Sequence, residues 1–436
     1  MNADHGHPGA IDDADDSGWA GVDVPAPPPA PGPTRGDERI EAIDALRGVA
    51  LLGILLMNIR AFTMVMAAYM NPTVVGPLTG ADRVVWWITS VLADQKFMAL
   101  FSMLFGAGVV LMYEHRDAAG RPTAGLHYRR MAGLLVIGVV HAYGLWYGDV
   151  LVIYALCGLW LFLLRRRGPW LLLGLGFGFL LIGSGFNLLF GVTIPLLPAE
   201  DQAEILTFLT PDAETLAAEA EAHRGGWWAQ MSYRVPAALE MHTFFFLIWG
   251  VWRAGGMMLI GMALLKFNVL RGTASRKTYA ALIIGGGAVG LFLIVTGMLR
   301  YPAEQRGTAE AMFLGSLWNY WGSVPLAVAY AAGVMLACKN GTPRWLRPVA
   351  AVGRTALTNY LGQTVICTLI FYGTVHSLGL FGRVGWSVQM LVVAGVWAVQ
   401  LTAATWWLKR FRMGPMEWVW RWASYGTRPV LRRNSA

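Results

Sequence analysis

Long apolar segments recur along the chain and determine its predicted architecture. A helix rises 1.5 Å per residue, so each segment spans most or all of a bilayer core about 30 Å thick. The polar stretches between them are rich in Gly, Pro, Arg and Asp, which is typical of connections. The pattern predicts an all-α, polytopic integral membrane protein. Its ten predicted membrane helices lie at roughly 43–66, 84–113, 131–146, 149–164, 169–195, 240–265, 279–299, 313–337, 352–376 and 386–408.

Two of these segments have distinctive ends. The second is long, and its first part, VVWWITSVLA (84–93), fits either the start of the span or a stretch in the membrane interface. The third and fourth are short and joined by WYGD, which predicts a tight hairpin.

The remaining segments complete the predicted organisation. Residues 1–38 contain PAPPPAPGP and several Asp, which predicts a disordered, extended cytosolic tail without a signal peptide. Two five-helix bundles, 39–195 and 240–408, are joined by an extracytoplasmic loop, 196–239. That loop has an amphipathic pattern and is either a cover over a site or a solvated connector. Residues 409–436 form a basic, Trp-rich cytosolic tail.

Composition and charge agree with a membrane protein. The chain is 56% hydrophobic and 14% charged, whereas soluble domains have about 25% charged residues. If the N-terminus is cytosolic, most of the 34 basic residues fall in inner segments, so both termini are predicted to face the cytosol. The net charge of +8 therefore reflects topology, and no nucleic-acid partner is expected.

Motifs for metals and nucleotides are missing from the sequence. Cys157, Cys338 and Cys367 lie singly in apolar segments, and there is no HExxH, Walker A or Rossmann-type glycine pattern in a suitable context. No bound metal and no resident cofactor are expected.

The first apolar segment, IDALRGVALLGILLMN, carries polar residues on one face. Asp44 and Arg47 are spaced to pair on a helix, and Asn58 returns to nearly the same face about three turns later. A membrane helix with an acid, a base and an amide on one side is expected to face a polar site or a charged partner.

Several motifs together resemble the YeiB-like family of bacterial multi-pass membrane proteins, whose function is unknown. These are IDALRGVALLGILLMN, DQKFMALFSMLFGAG (94–108), HAYGLWYGDVLVIYALCGL (141–159), GRTALTNYLGQT (353–364), LGLFGR (378–383) and GPMEWVWRWASYG (414–426). The resemblance covers about 39–165 and 240–428. It implies a location in the bacterial cytoplasmic (inner) membrane, with the lipid bilayer as partner.

The N-terminal half is also similar to transmembrane acyltransferases of the heparan-glucosaminide acetyltransferase type. The shared features are an Asp-x-x-Arg-Gly entry to the first helix, at Asp44, and an Asp-x-x-Phe run, at Asp94. The resemblance implies acyl transfer from cytosolic acyl-CoA, as co-substrate, to an acceptor across the membrane. That family carries a catalytic His before the Asp of the second helix, whereas residues 58–114 of this chain contain none.

The base must therefore come from elsewhere, and His141 is the candidate. Imidazole exchanges protons readily near neutral pH, and acyl transfer needs a base and an oxyanion donor. Asp149 follows the hairpin and can orient the imidazole, and Asn58 is the predicted oxyanion donor. The structural alternative is that His141 bonds a neighbouring helix and Asp149 caps the next one.

Charged residues elsewhere are candidates for binding substrate or acyl-CoA. Arginines near the cytosolic side suit the phosphates of the donor, although Asp44 and Arg47 also fit a structural ion pair. Asp94 also fits a helix cap, which is the commoner role for an acid at the start of a helix. The predicted binding set is Asp44, Arg47, Arg129, Arg130, Asp94, Lys96 and Arg253.

Two classes of function remain open. The first is a membrane acyltransferase acting on a small-molecule or glycan acceptor of the envelope. The second is a transporter or exporter of a small polar or anionic metabolite. The ten segments do not divide into two similar halves with paired broken helices, which favours the enzyme. The sequence does not determine the oligomeric state.

Overall fold

The computed structural model describes residues 1, 41–374 and 376–433, and these are mainly helical. Within these ranges no β-strand forms, and Phe411 and Arg432 make an isolated β-bridge. The tail predicted for 1–38 lies outside the described helical residues. The α-helices in chain order are α1 (Glu41–Thr63), α2 (Met66–Met70), α3 (Gly80–Leu92), α4 (Lys96–Ala118), α5 (Ala124–Gly144), α6 (Leu151–Leu161), α7 (Pro169–Thr193), α8 (Ala199–Leu206), α9 (Ala213–Arg224), α10 (Trp227–Glu240), α11 (Val251–Lys266), α12 (Arg276–Arg300), α13 (Ser316–Ala337), α14 (Arg347–Arg354), α15 (Ala356–Phe371), α16 (Trp386–Arg410) and α17 (Pro415–Tyr425).

Seven helical stretches are long and apolar enough to cross a membrane, which confirms the all-α polytopic membrane fold. The other three predicted segments correspond to α5 and to two shorter apolar helices. The count of ten spans and the cytosolic location of both termini stay predictions. The seven stretches are Glu41–Thr63, Gly80–Ala118, Pro169–Leu196, Trp227–Lys266, Arg276–Arg300, Ala311–Ala337 and Trp386–Arg410.

Some predicted helices are interrupted. The segment 84–113 consists of two helices, because α3 ends at Leu92 and Gln95, with φ of 64°, turns the chain before α4. This left-handed conformation is unusual for a residue with a side chain, and it marks the point where the chain changes direction. The segment near 240–265 is a π-helix, Met241–Gly250, that continues into α11.

Small residues allow the central helices to approach closely. A Cβ on Gly106 of α4 would lie 2.0 Å from the Met258 carbonyl oxygen of α11, and one on Gly261 would lie equally close to that of Met103. Such contacts are the usual means of helix association in membranes, where lipid competes for apolar surface. They place α4 and α11 at the centre of the bundle, beside α1 and α7.

The loop predicted at 196–239 is folded into α8, α9 and α10 and is docked on the bundle. The Glu219 carboxylate accepts from the Met66 backbone N–H at 2.8 Å, and the His223 carbonyl accepts from the Gly373 N–H at 2.8 Å. Arg224 donates to the Phe381 carbonyl at 2.8 Å. The loop is therefore attached to the chain before α3 and to the chain after α15.

The C-terminal helix α17 contacts two other helices. The Glu417 carboxylate accepts hydrogen bonds from the Leu357 and Thr358 backbone N–H groups, at 2.6 and 3.2 Å, and so caps the start of α15. Burial raises the pKa of Glu417 above its usual value. Trp420 donates through its indole N–H to the Arg130 carbonyl of α5.

Candidate functional site

A hydroxyl, an imidazole and a carboxylate form a hydrogen-bonded chain in the bundle. His141 Nδ1 lies 2.7 Å from Asp149 Oδ1, and His141 Nε2 lies 2.9 Å from Thr364 Oγ1. The side chains of His141 and Asp149 are 1% and 0% exposed. Because a carboxylate can only accept, the Nδ1–H donates to Asp149, which leaves Nε2 to accept from the Thr364 hydroxyl.

The connection between α5 and α6 creates this arrangement. The His141 carbonyl accepts from the Leu145 and Trp146 N–H groups, so the chain turns immediately after α5. A Cβ on Gly148 would lie 2.4 Å from the Trp146 ring, so only glycine fits there. The second oxygen of Asp149 then accepts from the Val152 N–H at 2.8 Å and caps α6. The Asp149 carboxylate therefore makes both contacts that the sequence offered as alternatives: one oxygen bonds the His141 imidazole, and the other caps α6.

Aromatic rings surround His141. The Tyr360 ring centroid lies 5.2 Å from that of His141, and the Trp146 ring lies 6.3 Å away, edge-on. Trp146 also stacks on Phe62 of α1 at 4.1 Å. The Trp146 indole N–H is buried and has no hydrogen-bond partner among the described residues. The indole ring beside His141 therefore carries a buried donor that no described residue uses.

The structure and the sequence prediction differ for two residues, Asn58 and Thr364. Asn58 is half-buried, and in the described part of the chain no hydrogen bond links it to His141, Asp149 or Thr364. Its role as oxyanion donor stays a prediction. Thr364 was not predicted; it lies in the motif GRTALTNYLGQT, and 223 positions separate it from His141. Its inclusion in that motif was the only signal in the sequence.

A second buried cluster forms around Asp94. Asn319 of α13 donates to Asp94 Oδ2 at 2.8 Å and accepts from Lys96 Nζ at 2.6 Å. Lys96 is fully buried and also donates to the Ser90 carbonyl at 2.9 Å. The predicted residues Asp94 and Lys96 are thus brought together by an asparagine that the sequence did not indicate.

Two arginines lie within electrostatic range of the same carboxylate. Arg253 is fully buried, donates to the Tyr320 carbonyl at 3.0 Å and to Ser323 Oγ, and lies over the Tyr320 ring. Arg60, at the end of α1, donates to Thr89 Oγ1 at 2.5 Å. Positive charge therefore exceeds negative charge in this cluster.

The remaining predicted binding residues lie near the starts of α1 and α5, at the ends of these helices away from Arg60 and His141. Arg47 pairs with Asp44 at 3.1 Å, and its side chain is 29% exposed. Arg130 lies within electrostatic range of Arg47 and stacks over Trp420 of α17 at 4.5 Å, and Arg129 is exposed. The predicted set is thus divided between a group at the start of α1 and the Asp94 cluster near the end of that helix.

These features define a class of protein: an all-α, polytopic membrane protein with two buried polar clusters between its helices. Comparison with known proteins then specifies the family. The chain is 32% identical to "Uncharacterized protein YeiB" of Escherichia coli (strain K12) over 402 residues, 88% of this chain and 96% of that protein. It is 31% identical to "Uncharacterized protein YxaH" of Bacillus subtilis (strain 168) over 430 residues, 92% of this chain and 98% of that protein.

The chain therefore belongs to the YeiB-like family, as its motifs indicated. Residues 264–427 match the family model described as "Protein of unknown function (DUF418)". No solved structure matches the chain. With bacterial relatives and seven long apolar helices, it is a bacterial membrane protein.

Proposed function

We propose that this protein is an acyltransferase of the bacterial cytoplasmic membrane that moves an acyl group from cytosolic acyl-CoA to an extracytoplasmic acceptor. The observation that carries the proposal is the chain Asp149–His141–Thr364, in which a buried carboxylate orients an imidazole whose second nitrogen accepts from a hydroxyl. This is the arrangement that activates hydroxyl groups in acyl transfer.

In this mechanism His141 is the general base. The acceptor hydroxyl or amine takes the position next to Nε2 that the Thr364 hydroxyl occupies, and Thr364 rotates away. As the acceptor attacks the thioester carbonyl, its proton moves to Nε2, and Asp149 stabilises the resulting imidazolium. The tetrahedral intermediate then expels the CoA thiolate, which takes the proton from Nε2. Asn58 and the unpaired Trp146 N–H are the proposed oxyanion donors.

The donor enters from the predicted cytosolic side. Arg47, Arg129 and Arg130 lie at that end of α1 and α5, and guanidinium groups suit the phosphates of CoA. The thioester has to extend inward along the helices toward His141, which is near the other end of α5. Because His141 and Asp149 are enclosed, substrate entry requires the elements around them to move.

Sided proteoliposomes test the proposal. The purified protein is incubated with a panel of acyl-CoAs and candidate acceptors, with the donor on one side of the membrane at a time, and CoA release is measured. Release is expected with the donor on the side of the C-terminus. The matched variant Asp149→Asn is expected to lose most of this release, because it no longer holds the reactive tautomer. Movement of an intact solute without CoA release would favour the transporter instead.

A further inference from the structure

Four basic side chains lie within electrostatic range of the Asp94 carboxylate. They are Lys96, Arg60, Arg253 and Arg306, the last of which lies in the segment between α12 and α13. The carboxylate accepts a hydrogen bond from Asn319, and within the described part of the chain it makes no ion pair with any of the four. The cluster therefore carries an excess of positive charge.

A polar cavity of about 50 Å³ lies inside the cluster. Arg60 and Arg306 line it, together with Asp94, Asn319 and Ser90. A cavity needs roughly 10–15 Å³ to hold one water molecule, so this one has room for a few water-sized groups. It can hold one small polar group, and it is too small for a whole nucleotide.

The surroundings make uncompensated charge costly. Arg60 is 4% exposed, and Lys96 and Arg253 are fully buried. Cations withdrawn from water lose solvation free energy that only an opposite charge or several hydrogen bonds restore. The Asp94 carboxylate balances the positive charge of one of the four basic side chains, and a bound anion would balance the charge of others. Guanidinium groups with an amide beside them are the donors that bind oxyanions best.

We propose that the cavity lined by Arg60, Arg306, Asn319 and Ser90 binds a phosphate-type oxyanion from the predicted outer side of the membrane. Arg60 lies at the outer end of α1, and Arg306 lies in the connection on that same predicted side. The site goes beyond the proposed acyl transfer, because its residues belong to α1, α3, α13 and the connection before α13, whereas the His141 chain belongs to α5, the connection between α5 and α6, and α15.

The oxyanion can come from free phosphate or from a phospholipid headgroup. An apolar groove of about 390 Å³ lies against the same stretch of α3, and Thr89, the hydrogen-bond partner of Arg60, lines it. That groove offers room for lipid chains beside the cavity, so both sources are tested.

The test measures binding to the purified full-length protein in two arms. Equilibrium dialysis with radiolabelled inorganic phosphate reports free phosphate, and native mass spectrometry from nanodiscs with phosphatidylglycerol or only phosphatidylcholine reports lipid. Arg306→Gln is expected to weaken binding roughly ten-fold in the responding arm, because it removes a charge-assisted hydrogen bond. Asp94→Asn is expected to strengthen it, because it removes the only acid of the cavity.

Arg300→Gln is the matched control. Arg300 is an exposed arginine six positions away that lies over the Tyr301 ring and does not line the cavity. It is expected to leave binding unchanged. A response to Arg306→Gln and not to Arg300→Gln, in either arm, supports the site and names the source of the oxyanion. No binding in either arm, or equal binding by Arg306→Gln and the unchanged protein, overturns the proposal.

Discussion

At the scale of single residues, His141 is held by two hydrogen bonds of different kinds. The bond to Asp149 fixes the tautomer, and the bond to Thr364 occupies the nitrogen that would act as a base. The backbone carbonyl of His141 also accepts the hydrogen bonds that close the turn after α5, and this turn brings Asp149 next to the imidazole. Structure and proposed chemistry therefore depend on the same few atoms, so variants have to separate folding from activity.

Thr364→Val separates two versions of the chemistry. Valine keeps the shape of threonine and removes the hydroxyl, so Nε2 is left free for the acceptor. In direct transfer we expect CoA release to change by less than about ten-fold. The thermal midpoint should fall modestly, since a buried acceptor loses its partner. A loss of about a thousand-fold with the protein folded would instead mean that Thr364 itself carries the acyl group.

The Asp44–Arg47 pair is expected to behave as a coupled unit. Arg47→Ala leaves a carboxylate that is 9% exposed without this partner, so it should destabilise the protein by roughly 1–3 kcal/mol. The double variant Asp44→Ala, Arg47→Ala should be less destabilised. The measurement is thermal unfolding in detergent of the four members of the cycle. Additive losses would argue against a pair.

At the scale of elements, α9 is docked through a buried histidine. His223 stacks on Phe381 at 4.1 Å, donates from Nδ1 to the Glu219 carbonyl, and accepts through its own carbonyl from Gly373. Burial lowers the pKa of His223 to about 4. The docked state therefore binds fewer protons than the undocked state between pH 6.5 and 4.

Docking of α9 is thus expected to be strongest above pH 6.5 and to weaken as the pH falls toward 4, by at most about 1.4 kcal/mol per pH unit. Hydrogen exchange of residues 199–240 at pH 7.5 and 5 measures this. His223→Phe keeps the stack and should remove most of the difference. Burial also raises the pKa of Glu219, so above the usual pKa of a glutamate the docked state binds more protons at this residue. This effect on docking opposes that of His223. The His223→Phe variant keeps Glu219 and therefore isolates the contribution of the histidine. Equal pH dependence in both proteins would rule out this switch.

The elements also define what periodicity could predict. Apolar runs located the seven helical stretches that are long and apolar enough to cross a membrane, and WYGD located the turn that joins His141 to Asp149. The break at Gln95 falls where the polar residues Asp94, Gln95 and Lys96 interrupt the apolar pattern, and it separates 84–93 from the span, as one of the two alternatives for that stretch had it. Thr364 and Asn319 could not be placed: each is a polar residue in an apolar helix, and its partner is more than 200 positions away.

For the molecule as a whole, the sequence placed charged residues near helix ends but did not show which of them were buried. Arg60, for example, lies at the end of α1, yet it is 4% exposed and lies over the Trp386 ring. Burial depends on which distant helices meet, and local composition does not contain that information. The sequence therefore predicted the fold class, two of the three residues of the His141 chain and only part of the Asp94 cluster.

The topology gives a prediction at this scale. The basic bias predicts cytosolic termini and ten spans, so reporter fusions after Lys339 and at the C-terminus should report cytosol. A fusion within 200–230 should report the opposite side. An outward C-terminus would mean that an odd number of helices cross, and α5, α6 or α15 would then be the helix to reassign.

CoA release by the purified His141→Ala variant is the most direct test of His141 as the base for acyl transfer. Donor binding is measured in parallel, with the thermal midpoint as the control for folding. We expect donor binding to stay within a few-fold of the unchanged protein. The rate of CoA release with a matched acceptor is expected to fall by roughly 10²–10⁴-fold. Full CoA release by a correctly folded His141→Ala protein would show that His141 is not the base.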